Sequence, residues 1–298
     1  MFDNNANTVQ NKNISLKQYY DFCLNADMSP NFHPNFVEFY YSQLKIKPQI
    51  IGRMNKNGQL IAAYPVLYRQ IFPNSLHKKI LGKKFNILGD IGQPEIFFPV
   101  LKNSTKISLN NLSPTTSPLL KNFLKRSINY SIKSIAIAKK TRHKNITREQ
   151  KKLLQNGGKI YFTDEINKKD FVDIYIRLHC KRWGYMPDEL RYVRKQIIKL
   201  YKHIHGGILL LKNEPLAAQL CFKNEGKNIF YVDFINLGVK AHDKKQSYGS
   251  IMMLSTLRKS EHVAFYKGKK LRFSFGYYQG KNHYKSLWTN PEPTFIAF

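Results

Sequence analysis

Apolar residues recur along this chain with two periods, and the switches between them predict its elements in order. Aromatic and aliphatic side chains at helical spacing predict helices over Leu16 to Leu24 and Asn35 to Leu44, with Asn31 and Pro34 between them. A β-hairpin follows: Gln49 to Met54, a turn at Asn55-Lys56-Asn57-Gly58, then Gln59 to Tyr68. Short apolar runs at Phe85 to Leu88 and Ile96 to Val100 predict further strands. Asn103 to Pro118, crowded with Asn, Ser, Thr and Pro, reads as a loop. Phe123 to Ser127 and Ser134 to Ala138 read as a helix and a strand. The basic, polar stretch Lys139 to Lys144 then divides the chain into halves, 1–145 and 146–298.

The second half is patterned more sharply. Thr147 is placed to cap a helix, Arg148 to Gln155, that stops at Gly157-Gly158. Lys159 to Thr163 predicts a strand, and Asp170 is placed to cap a helix whose stripe is Phe171, Ile174, Tyr175, Leu178 and Cys180, ending at Gly184. Pro187 opens another helix, with Leu190, Val193, Ile197, Leu200, Tyr201 and Ile204 as its stripe and Gly206-Gly207 as its stop. A second hairpin runs Ile208 to Leu211, a turn at Lys212 to Pro215, then Leu216 to Phe222. Ile229 to Leu237 predicts a long strand, Gln246 to Gly249 leads into a helix over Ser250 to Glu261, and Leu271 to Phe275 is the last clear strand. Both hairpins follow two helices, and both second strands open alike, Leu60-Ile61-Ala62-Ala63 and Leu216-Ala217-Ala218. That shared order suggests an ancient duplication.

Charge changes this picture most. Lys and Arg total 49 against 19 Asp and Glu, a net charge of +30. A surplus of that size steers anions, whether nucleic acid, anionic lipid or a phosphate-bearing cofactor, toward the surface. Lysine outnumbers arginine, which argues against fine base readout. An apolar share of 42% across 298 residues provides a real core. Met1 to Asn13 is polar and Asn-rich, without the pattern of a secretory leader, and no later run is as long as a spanning helix. The expected location is therefore cytoplasmic, at most peripheral on the inner membrane. Cys23, Cys180 and Cys221 fit neither a disulfide framework nor a metal site.

From Gln150 to Pro293 the order of elements resembles the GNAT acyl-CoA N-acyltransferase fold, and the tandem arrangement resembles its FemAB-like branch. The likeness rests on Leu154-Gln155-Asn156-Gly157-Gly158, on Lys181-Arg182-Trp183, on Tyr248-Gly249-Ser250, and on the tail Arg272-Phe273-Ser274-Phe275-Gly276 with Tyr284-Lys285-Ser286-Leu287-Trp288. That tail, with Tyr231-Val232-Asp233-Phe234-Ile235-Asn236, is most similar to the macrophage-inducible-gene virulence family, linked to resistance against cationic antimicrobial peptides. The resemblance implies an α/β (α+β) architecture of two GNAT-like domains, with mixed, mostly antiparallel sheets flanked by helices. It also implies an acyl-CoA or similar acyl donor, and a lipid, sugar or peptide amine as acceptor.

Acyl transfer of this kind needs few side chains. Unpaired N–H groups where a loop enters a helix hold the donor's phosphates, a splayed strand holds the thioester, and a base takes the amine proton. The expected loop is Lys245, Gln246, Ser247, Tyr248, Gly249 and Ser250, in which Gly249 would let backbone approach phosphate and Ile251 replaces the next small residue of the pattern. Asp233 and His283 are the candidate bases. Asp233 is either an outward polar residue in a half-buried strand or a buried carboxylate in a cleft. Arg272 is placed to pair with it, and Tyr231, Arg272, Tyr284 and Lys285 are the expected lining of a substrate groove. Trp183, Tyr185 and Trp288 read as core, and His203 and His205 as cations at a helix C-terminus. Two other readings remain open: a silent protein held on an anionic membrane by charge, and a nucleic-acid binder, for which no recognition motif is present.

Overall fold

The computed structural model describes residues 10–92, 95–101, 128–139, 143–184, 187–240, 247–280 and 283–297. The first part opens with strand β1 (Gln10–Ile14) and helix α1 (Leu16–Cys23). A reciprocal capping box starts α1, the Ser15 hydroxyl accepting from the Gln18 N–H and the Gln18 side chain from the Ser15 N–H. Helix α2 (Pro34–Leu44) carries Pro at its first position, where no N–H is needed, and ends on Lys45 in the left-handed region. The predicted hairpin is β2 (Ile50–Met54) and β3 (Leu60–Leu67), its turn held by Asn55, whose Oδ1 accepts from the N–H groups of Asn57 and Gln59. With β4 (Gln70–Ile71) these strands form an antiparallel sheet in the order β1-β2-β3-β4, followed by helix α3 (Ser75–Leu81).

Two expected strands are absent from this region. Gly82–Leu88 is a 3-10 helix, and residues 96–100 form no strand, meeting β3 through the isolated Ala62–Val100 bridge and the packing of Phe98 on Tyr64. Their apolar residues are buried for another reason: Leu88, Ile96, Phe98 and Val100 fill the space between the two halves. The predicted loop at 103–118 and helix at 123–127 lie outside the described residues.

The second part is built on a seven-stranded sheet. Strand β5 (Ile128–Ala138) belongs to it, although its residues precede the basic stretch at 139–144. Helix α4 (Lys144–Gln155) begins three residues before the predicted Thr147 cap and stops where Gly157 takes positive φ. After β6 (Gly158–Phe162), helix α5 (Lys168–Trp183) is capped by Asn167 and not by Asp170, and ends on left-handed Gly184 as expected. Helix α6 (Pro187–Lys199) ends before the expected glycines, which lie inside β7 (Ile204–Leu211). Strands β8 (Glu214–Glu225) and β9 (Ile229–Val239) follow, then α7 (Tyr248–Tyr266), β10 (Lys270–Tyr277) and β11 (Thr289–Ala297).

The sheet order is β11-β5-β10-β9-β8-β7-β6. Every pair is antiparallel except β9 and β10, which run parallel because α7 carries the chain back between them. One face packs on α7 and α4 through Met253, Leu254 and Leu257 on one side and Leu153, Ile251 and Met252 on the other. The opposite face, with Phe222 and Ile235, shares a core with Phe36, Tyr40 and Phe98 of the first part and with Phe171 and Leu178 of α5. Hydrogen bonds tie the parts as well: Asp27 accepts from the Asn228 and Ile229 N–H groups, and Asn224 donates to the Met28 carbonyl. Among the described residues, no helix is long and apolar enough to cross a membrane.

Candidate functional site

The parallel strands β9 and β10 pair from Ile229/Lys270 to Asp233/Ser274 and no further. Beyond that point β9 continues only with β8 and β10 only with β5, so the sheet parts between them. A bulge in β9 falls at the same place: Leu220 pairs with Asn236 and Cys221 with Phe234, leaving Ile235 unopposed. A bulge sharpens local twist and re-aims the strand, which keeps the two from rejoining. The helix that starts beside the parting is α7.

Asp233 stands at its apex. Its side chain lies on the face turned to the first part and is 3% exposed. Among the described residues nothing donates a hydrogen bond to its carboxyl, and Arg272 does not pair with it. Burial first, then the nearby Glu95 and Asp90 carboxyls, hold Asp233 well above its usual range, with the Lys285 ammonium opposing them. Lys285 itself is buried and donates to the Tyr277 carbonyl at 3.0 Å, and burial lowers its own pKa.

Arg272 makes different bonds from those expected. It grips Glu95 side-on, Nη2 to Oε1 at 2.6 Å and Nε to Oε2 at 3.2 Å, and reaches Glu292 at 3.0 Å. The Tyr231 hydroxyl donates to Glu95, and the guanidinium lies 5.9 Å over the Tyr231 ring. Tyr231 and Arg272 are thus parts of a buried network joining the halves, not the lining of an open groove. Glu95 was not identified as a site residue from the sequence. The signal available was an acid directly preceding the run Ile96-Phe97-Phe98.

At the α7 N-terminus, Ser247 makes no side-chain cap, and the first backbone bond runs from the Ile251 N–H to the Ser247 carbonyl. Lys245 and Gln246 lie outside the described residues, as does Tyr185. Gly249 is needed for close packing: a Cβ there would stand 2.9 Å from Leu237 Cδ2 and 3.3 Å from Val239 Cγ2. Ile251 is buried against Leu237 and Leu153, which accounts for an aliphatic residue in place of a small one.

The freed edge of β9 is occupied in part. Arg182 Nη1 at 3.0 Å and Trp183 Nε1 at 3.3 Å both donate to the Leu237 carbonyl, while the Leu237 N–H is taken by Asn236 Oδ1 at 3.0 Å. Gly238 lets α5 come this close, since a Cβ there would meet the His179 nitrogen at 2.6 Å. Trp183 is 55% exposed and not core, whereas Trp288 is buried as expected. His283 accepts from the Lys285 N–H as the cap of the short 3-10 helix Tyr284–Leu287, and Tyr284 packs on its ring at a 4.4 Å centroid distance. His203 and His205 are not helix-end cations: burial lowers both, His205 to about 3, and His205 lies in β7. Among the described residues no group of three or more His, Cys, Asp or Glu is arranged to hold a metal ion.

Comparison with solved structures places this architecture. FemX superposes with a TM-score of 0.54 over 97% of both chains at 8% identity, which establishes a shared fold. An acetyltransferase of the GNAT family from Colwellia psychrerythraea scores 0.46 over 96% of this chain and 97% of its own, at 13% identity. An aminoglycoside N-acetyltransferase in complex with CoA scores 0.29, covering 40% of this chain and 77% of its own, at 10% identity. No curated protein sequence matches the chain. The fold is therefore mixed α/β, shared with FemX, with two sheets flanked by helices. Residues 33–297 match the Mig-14 family, and the chain belongs to that family.

Proposed function

We propose that the chain is an acyl or aminoacyl transferase acting on an amine, with two GNAT-like halves. The observation that carries this reading is the parting of β9 from β10 at Asp233, beside a helix start with no side-chain cap. The first-turn N–H groups of Tyr248, Gly249 and Ser250 would face the donor's phosphate oxygens, helped by the helix dipole. An acyl-CoA donor would supply the activated thioester. The chain's own part is to position the amine and accept its proton. Were an amine to attack that thioester and the C–S bond to break with release of the thiolate, the ionised form of Asp233 would accept the amine's proton. A carboxyl with a raised pKa is a stronger base than an ordinary one and titrates nearer working pH. Arg182 and Trp183 would have to release the Leu237 carbonyl for a donor to lie along β9. The biology we assign is resistance to cationic antimicrobial peptides, through modification of a lipid, sugar or peptide amine. Isothermal titration with acetyl-CoA and longer acyl-CoAs tests the reading: saturable heat is expected, and none at millimolar donor overturns it.

A second reading is favoured by the charge of +30: a protein held on the anionic inner-membrane surface without turnover. Co-sedimentation with vesicles should then require anionic lipid and collapse with salt, and equal binding to neutral vesicles contradicts it. Nucleic-acid binding rests on charge alone, and a filter-binding titration without salt-sensitive affinity removes it.

A further inference from the structure

A separate cavity of ≈ 450 Å³ opens at the other end of the sheet, lined by the last turns of α7, the start of β7 and β9 and the end of β8. The parting lies beyond Asp233 toward the C-terminal end of β9, whereas Phe230, near its N-terminal end, lines this cavity. Four lysines converge here, Lys202, Lys223, Lys259 and Lys267, against two acids, Asp164 and Glu225. Both acids are already engaged, Asp164 by Lys259 at 3.1 Å and Glu225 by Lys267 and by Lys269 at 3.0 Å. Lys202 and Lys223 have no carboxylate within ion-pair distance among the described residues.

Lys223 is the informative one. It sits in β8 opposite Val232 and two residues from Cys221, on the α7 side of the sheet where Cys221 and Val232 are core. An aliphatic residue would pack there at no electrostatic cost. Instead a cation is partly desolvated, and burial lowers its pKa. Burial also lowers the pKa of the neighbouring His33 and His205 to about 3, so the positive charge of the cavity comes from its lysines. His205 Nε2 donates to the Ser260 hydroxyl, which itself donates to the Thr256 carbonyl, so the wall is held in one tautomer. Lysines act as point charges for phosphate, and among the described residues no arginine fork lines the cavity to favour a planar carboxylate.

We propose that this cavity is a second binding site, for a phosphate ester, with Lys223 as its inner cation and Lys202 at its mouth. The shared chemistry is a phosphate mono- or diester, either on a soluble metabolite or on a lipid headgroup.

The test measures binding of glycerol 3-phosphate by titration calorimetry, and of phosphatidylglycerol in phosphatidylcholine vesicles by flotation. Lys223→Met should weaken whichever arm binds by about tenfold or more, as expected for losing a buried charge contact. Its unliganded melting temperature should be unchanged or higher. Lys202→Glu, at an exposed position that does not risk folding, should weaken the same arm. The double variant Lys78→Gln/Lys79→Gln removes charge elsewhere and should leave it intact. Binding in the soluble arm identifies a free phosphate ester, and binding in the vesicle arm alone identifies a headgroup. The proposal is overturned if neither arm binds. It is equally overturned if the Lys78/Lys79 variant loses as much affinity as Lys223→Met or Lys202→Glu.

Discussion

Two carboxyls sit on one face of the same sheet, near enough to feel each other, and their surroundings differ completely. Glu95 is met by both edges of the Arg272 guanidinium and by the Tyr231 hydroxyl, and Arg272 reaches on to Glu292. Asp233 is just as buried, yet no donor among the described residues reaches it, and the cation nearest in effect, Lys285, spends its hydrogen bond on the Tyr277 carbonyl. The first carboxyl is neutralised by geometry and joins the two halves. The second has no such partners, burial raises its pKa, and it stands where β9 and β10 part. Burial alone therefore does not distinguish structural from chemical acids here. The supply of donors does.

The largest expected effect tests the paired side of this contrast. Arg272→Ala leaves Glu95 buried without its counter-charge and should destabilise the fold by about 3–5 kcal/mol, read by denaturant unfolding. Adding Glu95→Gln should recover part of that loss, because the uncompensated group is then removed. An additive double variant would break the claim that they act as a unit.

Asp233→Asn sharpens the other side. The folded carboxyl binds its proton more tightly than the unfolded one, so the native chain loses stability as pH rises above the ordinary value of 3.8 and through the higher folded value. The slope approaches about 1.4 kcal/mol per pH unit within that window. The Asn variant lacks this slope and should overtake the parent as pH rises, measured as melting temperature against pH. Parallel profiles for the two would show that Asp233 is not perturbed. Acyl transfer, where measured, should fall in the same variant.

The smallest effect concerns the plugged edge of β9. Trp183→Ala removes one hydrogen bond from the Leu237 carbonyl at an exposed position, and should cost no more than about 1 kcal/mol of stability. If the contact competes with a donor, acetyl-CoA should bind about two- to fivefold more tightly in this variant. Weaker binding would mean that Trp183 helps to hold the donor instead.

Much of the second half was legible in the chain. The helix that ends at Gly184, the hairpin around Lys212-Asn213 and the unit β9-α7-β10 follow from periodicity and glycine placement. Strand β11 was not, because Pro291 and Pro293 argue against a strand; it survives at the sheet edge, where a missing N–H breaks no ladder on its outer side. The 3-10 helix Gly82–Leu88 and the segment 96–100 share with strands only a short apolar run, which carries no period.

The candidate site divides the same way. Sequence alone determined that an acid interrupts a core strand at 233, that a Gly-containing loop enters a helix after it, and that cations far outnumber acids. Local spacing suffices for those, because they concern neighbours along the chain. Tertiary structure alone decided that Arg272 belongs to Glu95, which lies 177 residues away, and so that Asp233 is buried without that counter-charge and its pKa is raised. It also decided which lysines of a uniformly basic chain converge on one cavity. The physical reason is that charge interactions act through space at a few ångströms, while the order of residues specifies only which partners exist.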